Sequence, residues 1–469
     1  MKQEKYHFGM VGLGVMGRNF ILNVADNGFS AAGHDLDSEK VAALNSEGAG
    51  KKVKGTTEKT AFINMLEVPR KIMLLVPAGK VVDIVINDLL PHLEEGDLII
   101  DGGNSFYEDT NRREKLLTEK GFHFMGIGVS GGAKGARLGP SIMPGGDKAA
   151  YELIKPVLEA VSAKVNNEPC VAYLGTSSAG NYVKMIHNGI EYGLMQLIAE
   201  AYDLLKQIGG LSNEELHQTF TKWNEGKLKS FLIEITAAIF SKEDNETGRH
   251  LVDAILDKAK QKGTGKWTSQ NAMDLGMPVP TIDAAVTMRE ISALKSDRIT
   301  LDSIYDGVGM FPEVDKAEFI QKVEHALYFA FIITYAQGMA VLKTASEEYS
   351  YGLNLEIIAK IWRGGCIIRA GLLENIRQAY DKNTDLINLI SDSFIVAEIK
   401  AVQQDTREVI GLGIQAGIPT ATLSAALTYF DALRAGRLPL NLVQAQRDFF
   451  GSHTYERTDM EGIFHTEWE

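Results

Sequence analysis

Lys184 and Glu191 are the two side chains of this sequence best placed to do acid–base chemistry. They lie seven residues apart in the segment AGNYVKMIHNGIEYGLMQLIAEAYDLLK. In a helix this spacing places both side chains within about 20° of each other and about 10 Å apart along the axis. His187, Asn188 and Tyr192 are predicted on the same side. The helix therefore presents a potential base, a potential acid and three hydrogen-bonding groups in one stripe.

A surface helix with a solvated polar face is the commoner origin of such a pattern. Apolar residues fill the opposite side, namely Ile186, Ile190, Leu194 and Leu197. Two observations favour chemistry. The stripe combines several kinds of multifunctional side chain, and the rest of the chain predicts a binding site for a hydride acceptor. We therefore interpret the stripe as catalytic.

Two kinds of architecture are predicted around this helix. Over the first ~180 residues, apolar runs such as HFGMV, KIMLLVP, DLIIDGG and FHFMGIGVS alternate with helix-like segments, which predicts a parallel sheet with crossover helices. After Ala179, long periodic segments rich in Ala, Leu, Ile and Glu take over. The predicted fold class is an α/β Rossmann-type domain (1–179), a large all-α domain (180–435) and a C-terminal tail (436–469).

The helical region also has the signature of an internal duplication. IEYGLMQLIAEA, from Ile190, is echoed by ITYAQGMAVLKTA, from Ile333. LSNEELHQTFTKWNEGKLKSFLIEI, from Leu211, is echoed by LNLEIIAKIWRGGCIIRAGLLENI, from Leu353. Both pairs lie about 140 residues apart, which is too long for a solenoid repeat and fits a duplicated helical unit.

Composition narrows the class of protein. A chain of 469 residues is expected to form two or three domains. The net charge of −13 argues against nucleic acid or an anionic membrane as a partner. Cys170 and Cys366 lack metal-ligand spacing, and no secretory segment is evident, so a cytoplasmic location is expected. The uncharged stretch 326–342 holds Gln337 and other polar residues, which predicts a buried core helix instead of a membrane span.

A dinucleotide-binding motif follows the first predicted strand. In GLGVMG, strand, glycines and helix come in the order that the motif requires. The turns without side chains let a pyrophosphate approach the helix N-terminus, where unpaired N–H groups and the helix dipole favour anions. The predicted cofactor contacts in this motif are Gly12, Leu13, Gly14, Val15, Met16 and Gly17.

Asp35, Leu36 and Asp37 follow at the distance expected for the end of the second strand. A carboxylate at this point accepts hydrogen bonds from the adenosine ribose hydroxyls and repels a 2′-phosphate. Leu36 contributes no cation that could bind such a phosphate. The charges of this loop therefore predict a preference for NAD over NADP.

Five further blocks carry a family resemblance. They are DGGNS (101–105), GVSGGAKGARLGPSIMPGG (128–146), YVKMIHNGIEYG (182–193), KGTGKWTSQ (262–270) and QAQRDFFGSHTYER (444–457). In this order and over nearly the whole chain, they resemble the long-chain, decarboxylating 6-phosphogluconate dehydrogenases. The GVSGG element and the lysine-containing helix are shared more loosely with the β-hydroxyacid dehydrogenases, whereas the KGTGKWT block and the C-terminal block are more specific.

The resemblance implies a role for each of these residues. Lys184 is the expected general base at the C3 hydroxyl of 6-phosphogluconate, and Glu191 the expected general acid that protonates C1 of the enediol after loss of CO2. The residues expected at the carboxylate and hydroxyl end are Asn104, Ser130, Gly131, Gly132, His187 and Asn188. Those expected at the phosphate end are Tyr192, Lys262, Arg289, Arg447 and His453. Val76, Pro77, Ala78 and Asn104 are expected to line the cofactor, and no metal is expected.

Two further expectations come from the family. Its long-chain members usually carry Asn-Arg-Ser or Asn-Arg-Thr at the position of Asp35-Leu36-Asp37, and the arginine binds the 2′-phosphate of NADP. Its absence here agrees with the prediction of NAD. The family also forms homodimers in which the tail of one subunit completes the site of the other, and the aromatic tail with Arg447 and His453 suits an extended arm of that kind. Taken alone, both residues would be interpreted as ordinary surface residues.

Two alternatives stay open at this point. The chain could be another β-hydroxyacid dehydrogenase that acts on a small, unphosphorylated acid, although the KGTGKWT block, Arg289 and the basic tail argue against it. It could also be a dinucleotide-binding redox sensor without catalytic activity. Lys184 and Glu191 argue against a sensor, which needs neither an acid nor a base on one helix face.

Overall fold

In the computed structural model, which describes residues 5–305 and 309–468, the N-terminal part of the chain is built around a seven-stranded sheet. Residues 1–4, 306–308 and 469, which belong to the three predicted domains, lie outside the described residues. The strand order is β3-β2-β1-β4-β5-β6-β7. The strands are β1 (Phe8–Val11), β2 (Ala31–His34), β3 (Val53–Thr56), β4 (Lys71–Leu74), β5 (Leu98–Asp101), β6 (His123–Ser130) and β7 (Ser141–Gly146).

Helices cover both faces of this sheet. They are α1 (Val15–Asp26), α2 (Ser38–Glu47), α3 (Lys59–Met65), α4 (Lys80–Leu89), α5 (Tyr107–Thr118), α6 (Gly132–Leu138) and α7 (Lys148–Val161). Successive side chains of a strand point to opposite faces of the sheet, and they pack into two separate apolar clusters, one on each face. Met10 packs with side chains of α1 and α7, whereas Ile72 packs with side chains of α3, α4 and α5. The apolar strands predicted from the sequence are therefore buried on both faces, as expected for a doubly wound sheet.

The predicted parallel sheet is confirmed from β1 to β6, but the seventh strand, which the sequence analysis did not name, is antiparallel. β7 pairs with β6 in antiparallel orientation, from Met125–Gly146 to Ser130–Ser141. The reason is the connection, because the seven-residue helix α6 is too short to return the chain to the starting edge of the sheet. A small antiparallel hairpin, β8 (Lys164–Val165) with β9 (Glu168–Pro169), follows α7.

From Ala179 to Leu433, the regular elements assigned among the described residues are all helices. The helices are α8 (Ala179–Gln207), α9 (Asn213–Trp223), α10 (Phe231–Phe240), α11 (Leu251–Ala254), α12 (Thr264–Asp274), α13 (Pro280–Ala293), α14 (Lys295–Ile304), α15 (Lys316–Glu348), α16 (Leu355–Trp362), α17 (Leu372–Lys382), α18 (Ser393–Ala416) and α19 (Ala421–Leu433). This agrees with the predicted fold class of an α/β Rossmann-type region followed by a large helical one.

The two long helices, α8 and α15, pack closely at the centre of the helical region. A Cβ atom on Gly193 would lie 2.7 Å from Thr334 Cγ2, and one on Gly338 would lie 2.5 Å from Ile190 Cδ1. Both glycines therefore allow the helices to approach. Of the described helices, α15 alone has the length and apolar composition of a membrane span, and 89% of its most apolar window is buried inside the protein. This agrees with the predicted core helix.

The order of elements in the two predicted repeats is the same. α8 is followed by α9 and α10, and α15 by α16 and α17. The N-cap side chains of α9 and α16 also act alike: Ser212 accepts from the backbone N–H of Glu215, and Asn354 from that of Ile357. Each side chain satisfies an otherwise unpaired N–H group at the start of its helix.

The tail differs from the extended arm that was expected. It contains a further helix, α20 (Leu440–Gly451), and an antiparallel hairpin of β10 (Tyr455–Glu456) and β11 (Ile463–Phe464). Asp448 organises this unit. Its carboxylate is buried within the tail and accepts from the backbone N–H groups of Thr454 and Thr466 and from the indole of Trp468. The prediction failed because a tail that exposes apolar side chains has no amphipathic period to reveal its helix.

Candidate active site

Helix α8 lies against the carboxyl half of strand β6 because that strand has glycine at alternate positions. A Cβ atom on Gly126 would lie 2.0 Å from Asn181 Oδ1, and one on Gly128 would lie 2.4 Å from the Cβ atom of Lys184. Any larger residue would push the helix away from the sheet. The glycines of FHFMGIGVS thus bring Lys184 next to the GVSGG segment.

The side chains of the predicted stripe meet around His187. Its Nδ1 atom lies 3.3 Å from Lys184 Nζ, 3.1 Å from Asn188 Oδ1 and 3.8 Å from Glu191 Oε2. Its Nε2 atom lies 3.2 Å from Ser130 Oγ. The structure therefore brings together five residues that the sequence analysis singled out. We call them the acid–base cluster.

The acid–base cluster is buried, which excludes the interpretation of a solvated polar helix face. Lys184 is 6% exposed and His187 0%. The side chain of Glu191 is 22% exposed and is the most accessible of the stripe. The edge of the His187 ring also meets Trp362, with ring centroids 5.6 Å apart. Burial of ionisable groups is costly unless it changes their protonation, so the pKa values of these groups decide what the cluster can do.

Burial shifts the pKa values of the potential base and acid in opposite directions. It lowers the pKa of Lys184, and the interaction with the carboxyl group of Glu191 opposes this shift. It raises the pKa of Glu191, against the opposing charges of Lys184 and Arg289. Burial, and next the charge of Lys184, holds the pKa of His187 well below its usual range. Burial thereby shifts each of the three groups towards its uncharged form, which is the form that a general base or a general acid of this type needs.

A cationic region adjoins the acid–base cluster along α8. The guanidinium carbon of Arg289 lies 3.5 Å from the centre of the Tyr192 ring. Gly265 contacts the same ring, since a Cβ atom there would lie 2.4 Å from Tyr192 Cδ2. Lys262 is exposed and directly precedes Gly263. Gly263 is the N-cap residue of helix α12 and has a φ of +92°. The predicted phosphate-end residues Tyr192, Lys262 and Arg289 therefore belong to neighbouring elements.

Arg447 and His453 are not joined to this region within the chain. Arg447 donates to Gln444 Oε1 at 3.0 Å, and His453 stacks edge-on to Phe450 with ring centroids 5.9 Å apart. Across residues 5–305 and 309–468, no hydrogen bond or ion pair links the tail segment 440–468 with residues 5–435. Both predicted tail residues are exposed.

The start of α1 has the properties of a dinucleotide site. Gly12 has a φ of +94°, and a Cβ atom on Gly17 would lie 1.9 Å from Gly12 O, so both positions require glycine. A Cβ atom on Gly14 would meet nothing within 4 Å, and the helix has no side-chain cap at this residue. The start of the helix therefore has open space at Gly14 and no side-chain cap, which suits a pyrophosphate. The other predicted residues of this motif, Leu13, Val15 and Met16, belong to the same turn.

The loop after β2 is held to this turn by Asp35. Its Oδ2 atom accepts from Leu13 N at 2.8 Å, and its Oδ1 atom from Asp37 N at 3.0 Å. Leu36 is 88% exposed. Lys40, which the sequence analysis did not consider, places its Nζ 3.3 Å from Asp37 Oδ2 and 3.7 Å from Asp35 Oδ1. The loop is therefore less negative than its two aspartates alone suggest.

The remaining predicted contacts come from loops at the carboxyl ends of the strands, as is usual for ligand sites in open α/β sheets. Val76, Pro77 and Ala78 follow β4, and the exposed Asn104 follows β5. After β6, Gly131 and Gly132 have φ values of +137° and +63°. Among the described residues, no group of three or more His, Cys, Asp and Glu side chains could hold a metal ion.

Two supporting features were missed by the sequence analysis. Asp101 is buried and accepts from Ser105 Oγ at 2.7 Å and from Arg113 at 3.1 Å, which fixes the DGGNS turn. The signal was present, since an aspartate at the end of a buried strand requires a partner. The second feature is the segment 364–367, where Ile367 N lies 3.4 Å from Ser130 Oγ. No local sequence pattern indicated that this segment belongs to the site, because it lies in the second helical repeat and meets Ser130 only in the folded chain.

The comparisons with known proteins agree with this geometry. The family described as "NAD binding domain of 6-phosphogluconate dehydrogenase" matches residues 7–175, and "6-phosphogluconate dehydrogenase, C-terminal domain" matches residues 180–468. A Bacillus subtilis relative named "6-phosphogluconate dehydrogenase, NADP(+)-dependent, decarboxylating" is 54% identical over 99% of both chains. An Escherichia coli relative named "6-phosphogluconate dehydrogenase, decarboxylating" is 52% identical, also over 99% of both chains.

The solved structures include a similar protein of the same name. Plasmodium falciparum 6-phosphogluconate dehydrogenase, described with its cofactor NADP+ and with its substrate 6-phosphogluconate, is 47% identical. It superimposes with a TM-score of 0.95 over 98% of this chain and 100% of that one. Sequence and structure agree over essentially the full length, from the dinucleotide turn to the tail. The chain belongs to the family of decarboxylating 6-phosphogluconate dehydrogenases.

Proposed function

We propose that this protein oxidatively decarboxylates 6-phospho-D-gluconate to D-ribulose 5-phosphate and CO2, with reduction of a nicotinamide dinucleotide. The observation that carries the proposal is the acid–base cluster. It places an amine of lowered pKa and a carboxyl group of raised pKa on one helix face, within the same chain as a turn that suits a dinucleotide.

In the first step, the neutral amine of Lys184 accepts the proton of the C3 hydroxyl group. A bound nicotinamide dinucleotide supplies the acceptor for the hydride that leaves C3. The product is a 3-keto acid, and Lys184 is now an ammonium group. Its position 3.3 Å from His187 Nδ1 holds it in the cluster, where the imidazole stays neutral and does not compete for the charge.

In the second step, the Lys184 ammonium donates its proton to the C3 carbonyl oxygen while the bond between C1 and C2 breaks to release CO2, so that Lys184 is neutral again. The electron pair of that bond forms the double bond of an enediol. Glu191 then donates its proton to C1 of the enediol, which was C2 of 6-phosphogluconate. At the same time Lys184 removes the proton from the hydroxyl group on the neighbouring carbon, and the ketone forms. A proton transfer from Lys184 to Glu191 restores both groups. An ammonium can act as the electron sink here, because a β-keto acid needs only a polarised carbonyl to lose CO2.

The substrate is a strong anion, with a carboxylate and a phosphate of about −1.5 to −2 charge. We assign its carboxylate and hydroxyl end to the polar groups around the acid–base cluster, and its phosphate end to the cationic region near Tyr192. The first set is Asn104, Ser130, Gly131, Gly132, His187 and Asn188. The second set is Tyr192, Lys262 and Arg289, with Arg447 and His453 from a tail. A local cationic pocket lets a chain of net charge −13 bind this anion.

We further propose a homodimer in which each tail completes the site of the other subunit. Two observations support this. The tail forms a folded unit around Asp448 but makes no hydrogen bond or ion pair with residues 5–435 in the described part of its own chain. It also exposes apolar side chains that favour a protein partner. These are Leu440, Leu442, Val443, Phe449, Phe450, Met460, Ile463 and Trp468.

For the cofactor, the proposal is a preference for NAD. The exposed Leu36 offers no positive charge for a 2′-phosphate, and the carboxylates of Asp35 and Asp37 lie beside it. Lys40 weakens this argument, because it pairs with both carboxylates. The Bacillus subtilis relative is named as NADP(+)-dependent, so the proposal predicts a difference in preference between the two proteins.

The test is an assay with 6-phosphogluconate and either dinucleotide, with absorbance of the reduced cofactor and trapped CO2 measured together. The proposal expects one CO2 for each reduced dinucleotide, and a higher kcat/KM with NAD. Reduced cofactor without CO2 would indicate a hydroxyacid dehydrogenase of another kind. No reduction of either dinucleotide would overturn the proposed activity and favour a redox sensor.

A further inference from the structure

Asn271 lies at the junction of four helices that carry different parts of the proposed site. It is 3% exposed, in the last turn of α12. Its Nδ2 atom donates to the hydroxyl of Tyr107 at 3.0 Å and to that of Tyr349 at 2.8 Å. Its Oδ1 atom accepts from the hydroxyl of Tyr182. One side-chain amide thus uses both of its N–H groups and its carbonyl, in two buried hydrogen bonds and one that is partly buried.

The three tyrosines form one aromatic cluster around this amide. The ring centroids of Tyr107 and Tyr182 lie 5.3 Å apart, those of Tyr107 and Tyr349 5.6 Å, and those of Tyr182 and Tyr349 5.7 Å. Burial raises the pKa values of Tyr107 and Tyr182, so their hydroxyl groups stay protonated. Buried hydroxyls of this kind need partners, and Asn271 serves three of them at once.

Each tyrosine belongs to an element with a separate task. Tyr107 is the first residue of α5, directly after the DGGNS turn, and Tyr182 lies two residues before Lys184 on α8. Tyr349 is the C-cap of α15. Asn271 itself is on α12, which begins just after Lys262. The amide therefore connects the DGGNS turn, the catalytic helix and the KGTGK turn.

The contacts between α12 and α8 run in a regular register. Gly265 packs on the ring of Tyr192, Thr268 Oγ1 donates to Met185 O at 2.9 Å, and Asn271 binds Tyr182. These α12 positions are spaced by three residues and form one helix face. The contact at Asn271 is the only one of the three that also reaches the N-terminal sheet region, through Tyr107. It thus sets the position of α12 relative to both neighbours.

We propose that Asn271 is a positioning residue, which holds the KGTGK turn with Lys262 in register with Lys184 and with the DGGNS turn. This inference rests on the proposed function, in which Lys262 binds the substrate phosphate and Asn104 the opposite end. Asn271 lies two helical turns from Thr264 and acts through the tyrosine hydroxyls. Its loss changes the distance between the two ends of the substrate site and leaves the dinucleotide turn unaffected.

The first test is Asn271→Leu, which keeps a similar size and removes all three hydrogen bonds. We expect the KM for 6-phosphogluconate to rise by about tenfold or more, with a smaller fall in kcat, because misplaced binding groups weaken substrate positioning. The Kd for the dinucleotide should stay within about twofold, since its turn lies elsewhere. A KM within about twofold of the wild-type value would overturn the proposal.

Tyr351→Phe is the matched control. Tyr351 belongs to the same aromatic cluster, with its ring centroid 5.4 Å from that of Tyr182, but its hydroxyl pairs with Ser178 at 2.8 Å and not with Asn271. Its loss should lower the melting temperature without raising the KM. An equal rise in KM for both variants would show that any damage to the cluster suffices, and would overturn the specific role of Asn271. If Asn271→Leu does not fold, Tyr182→Phe removes one of the three bonds and should raise the KM by about threefold or more.

Hydrogen–deuterium exchange separates this inference from the proposed activity. Asn271→Leu should speed exchange in residues 262–268 and 103–106, whereas Tyr351→Phe should not. If the wild-type protein fails to turn over 6-phosphogluconate, the proposed function is wrong, and the exchange result still decides whether Asn271 holds the two turns. Unchanged exchange in both segments of the Asn271→Leu protein would overturn the positioning role.

Discussion

The acid–base cluster on α8 and the tail unit around α20 carry ionisable residues in opposite environments. Lys184 and His187 are buried against a glycine-rich strand, and their protonation is set by the surrounding protein. Arg447 and His453 are exposed on a unit that has its own small core. Within the described chain the acid–base cluster is assembled, whereas Arg447 and His453 make no hydrogen bond or ion pair with residues 5–435. Under the proposed function, the proton-transfer groups come from one chain and the phosphate site is completed by a second one. Catalytic power and substrate affinity should therefore respond differently to mutation and to subunit mixing.

The largest effect is expected for Lys184→Ala. Removal of the base that starts the reaction should lower kcat by about 10³- to 10⁴-fold, because positioned acid–base groups contribute on that order. The dinucleotide should still bind, since Lys184 is not part of the Gly12–Gly17 turn. Steady-state kinetics and equilibrium binding measure the two quantities. A variant that keeps more than about a tenth of the wild-type kcat would show that another group is the base.

Removal of the tail should have the next largest effect. Truncation after Leu438 is expected to abolish turnover of 6-phosphogluconate and to leave dinucleotide binding measurable. Of the proposed site residues, the deleted segment carries only Arg447 and His453, and neither is assigned to the dinucleotide. The measurement is turnover together with dinucleotide titration. Near-native activity of the truncated protein would contradict the proposed role of the tail.

Subunit mixing tests whether the tail acts on its own chain or on the partner. Lys184→Ala and Arg447→Ala proteins, each inactive, are unfolded together and refolded. If tails are exchanged, a mixed dimer has one site with an intact Lys184 and an intact Arg447, and about a quarter of all sites become active. If each tail served its own chain, no mixed dimer would regain activity. Each variant refolded alone is the control.

The pH profile tests the opposite pKa shifts in the cluster. In the proposed mechanism, activity requires that Lys184 has lost its proton and that Glu191 has kept its own. Because burial lowers the pKa of Lys184 and raises that of Glu191, the two values approach each other and kcat/KM should follow a bell-shaped curve. Glu191→Gln should lower kcat by about 10²-fold. It should also remove the fall of kcat/KM at high pH, because glutamine cannot lose a proton as Glu191 does. A bell with both limbs in this variant would assign the second limb to another group.

The helical period of the sequence placed Lys184, His187, Asn188 and Glu191 on one face, and the structure brings them together; Ser130 was expected from the family resemblance. The sequence predicted the position of Lys184 on one face with His187 and Glu191, but not that the face is buried. Burial depends on Gly126 and Gly128 of β6, whose role appears only when the helix is packed on the strand. The antiparallel β7 and the tail helix α20 were also missed. β7 is short and contains glycine and proline, and it pairs with the neighbouring strand β6. The tail around α20 is organised by Asp448 through contacts within the tail, which the mixture of aromatic and charged residues did not reveal.

The smallest effect, and the sharpest test of the dinucleotide turn, is expected for Leu36→Arg. The loop that carries Leu36 is held to the turn by Asp35, but Leu36 itself is exposed, as Arg447 and His453 are. An arginine at this position can pair with a 2′-phosphate, so the ratio of kcat/KM for NADP to that for NAD should rise by about tenfold. Lys40→Gln is the matched control: it removes the cation beside Asp35 and Asp37 and should lower the same ratio. If the wild-type protein already prefers NADP, and Lys40→Gln abolishes that preference, then Lys40 binds the 2′-phosphate and the interpretation of the loop from its two carboxylates is wrong.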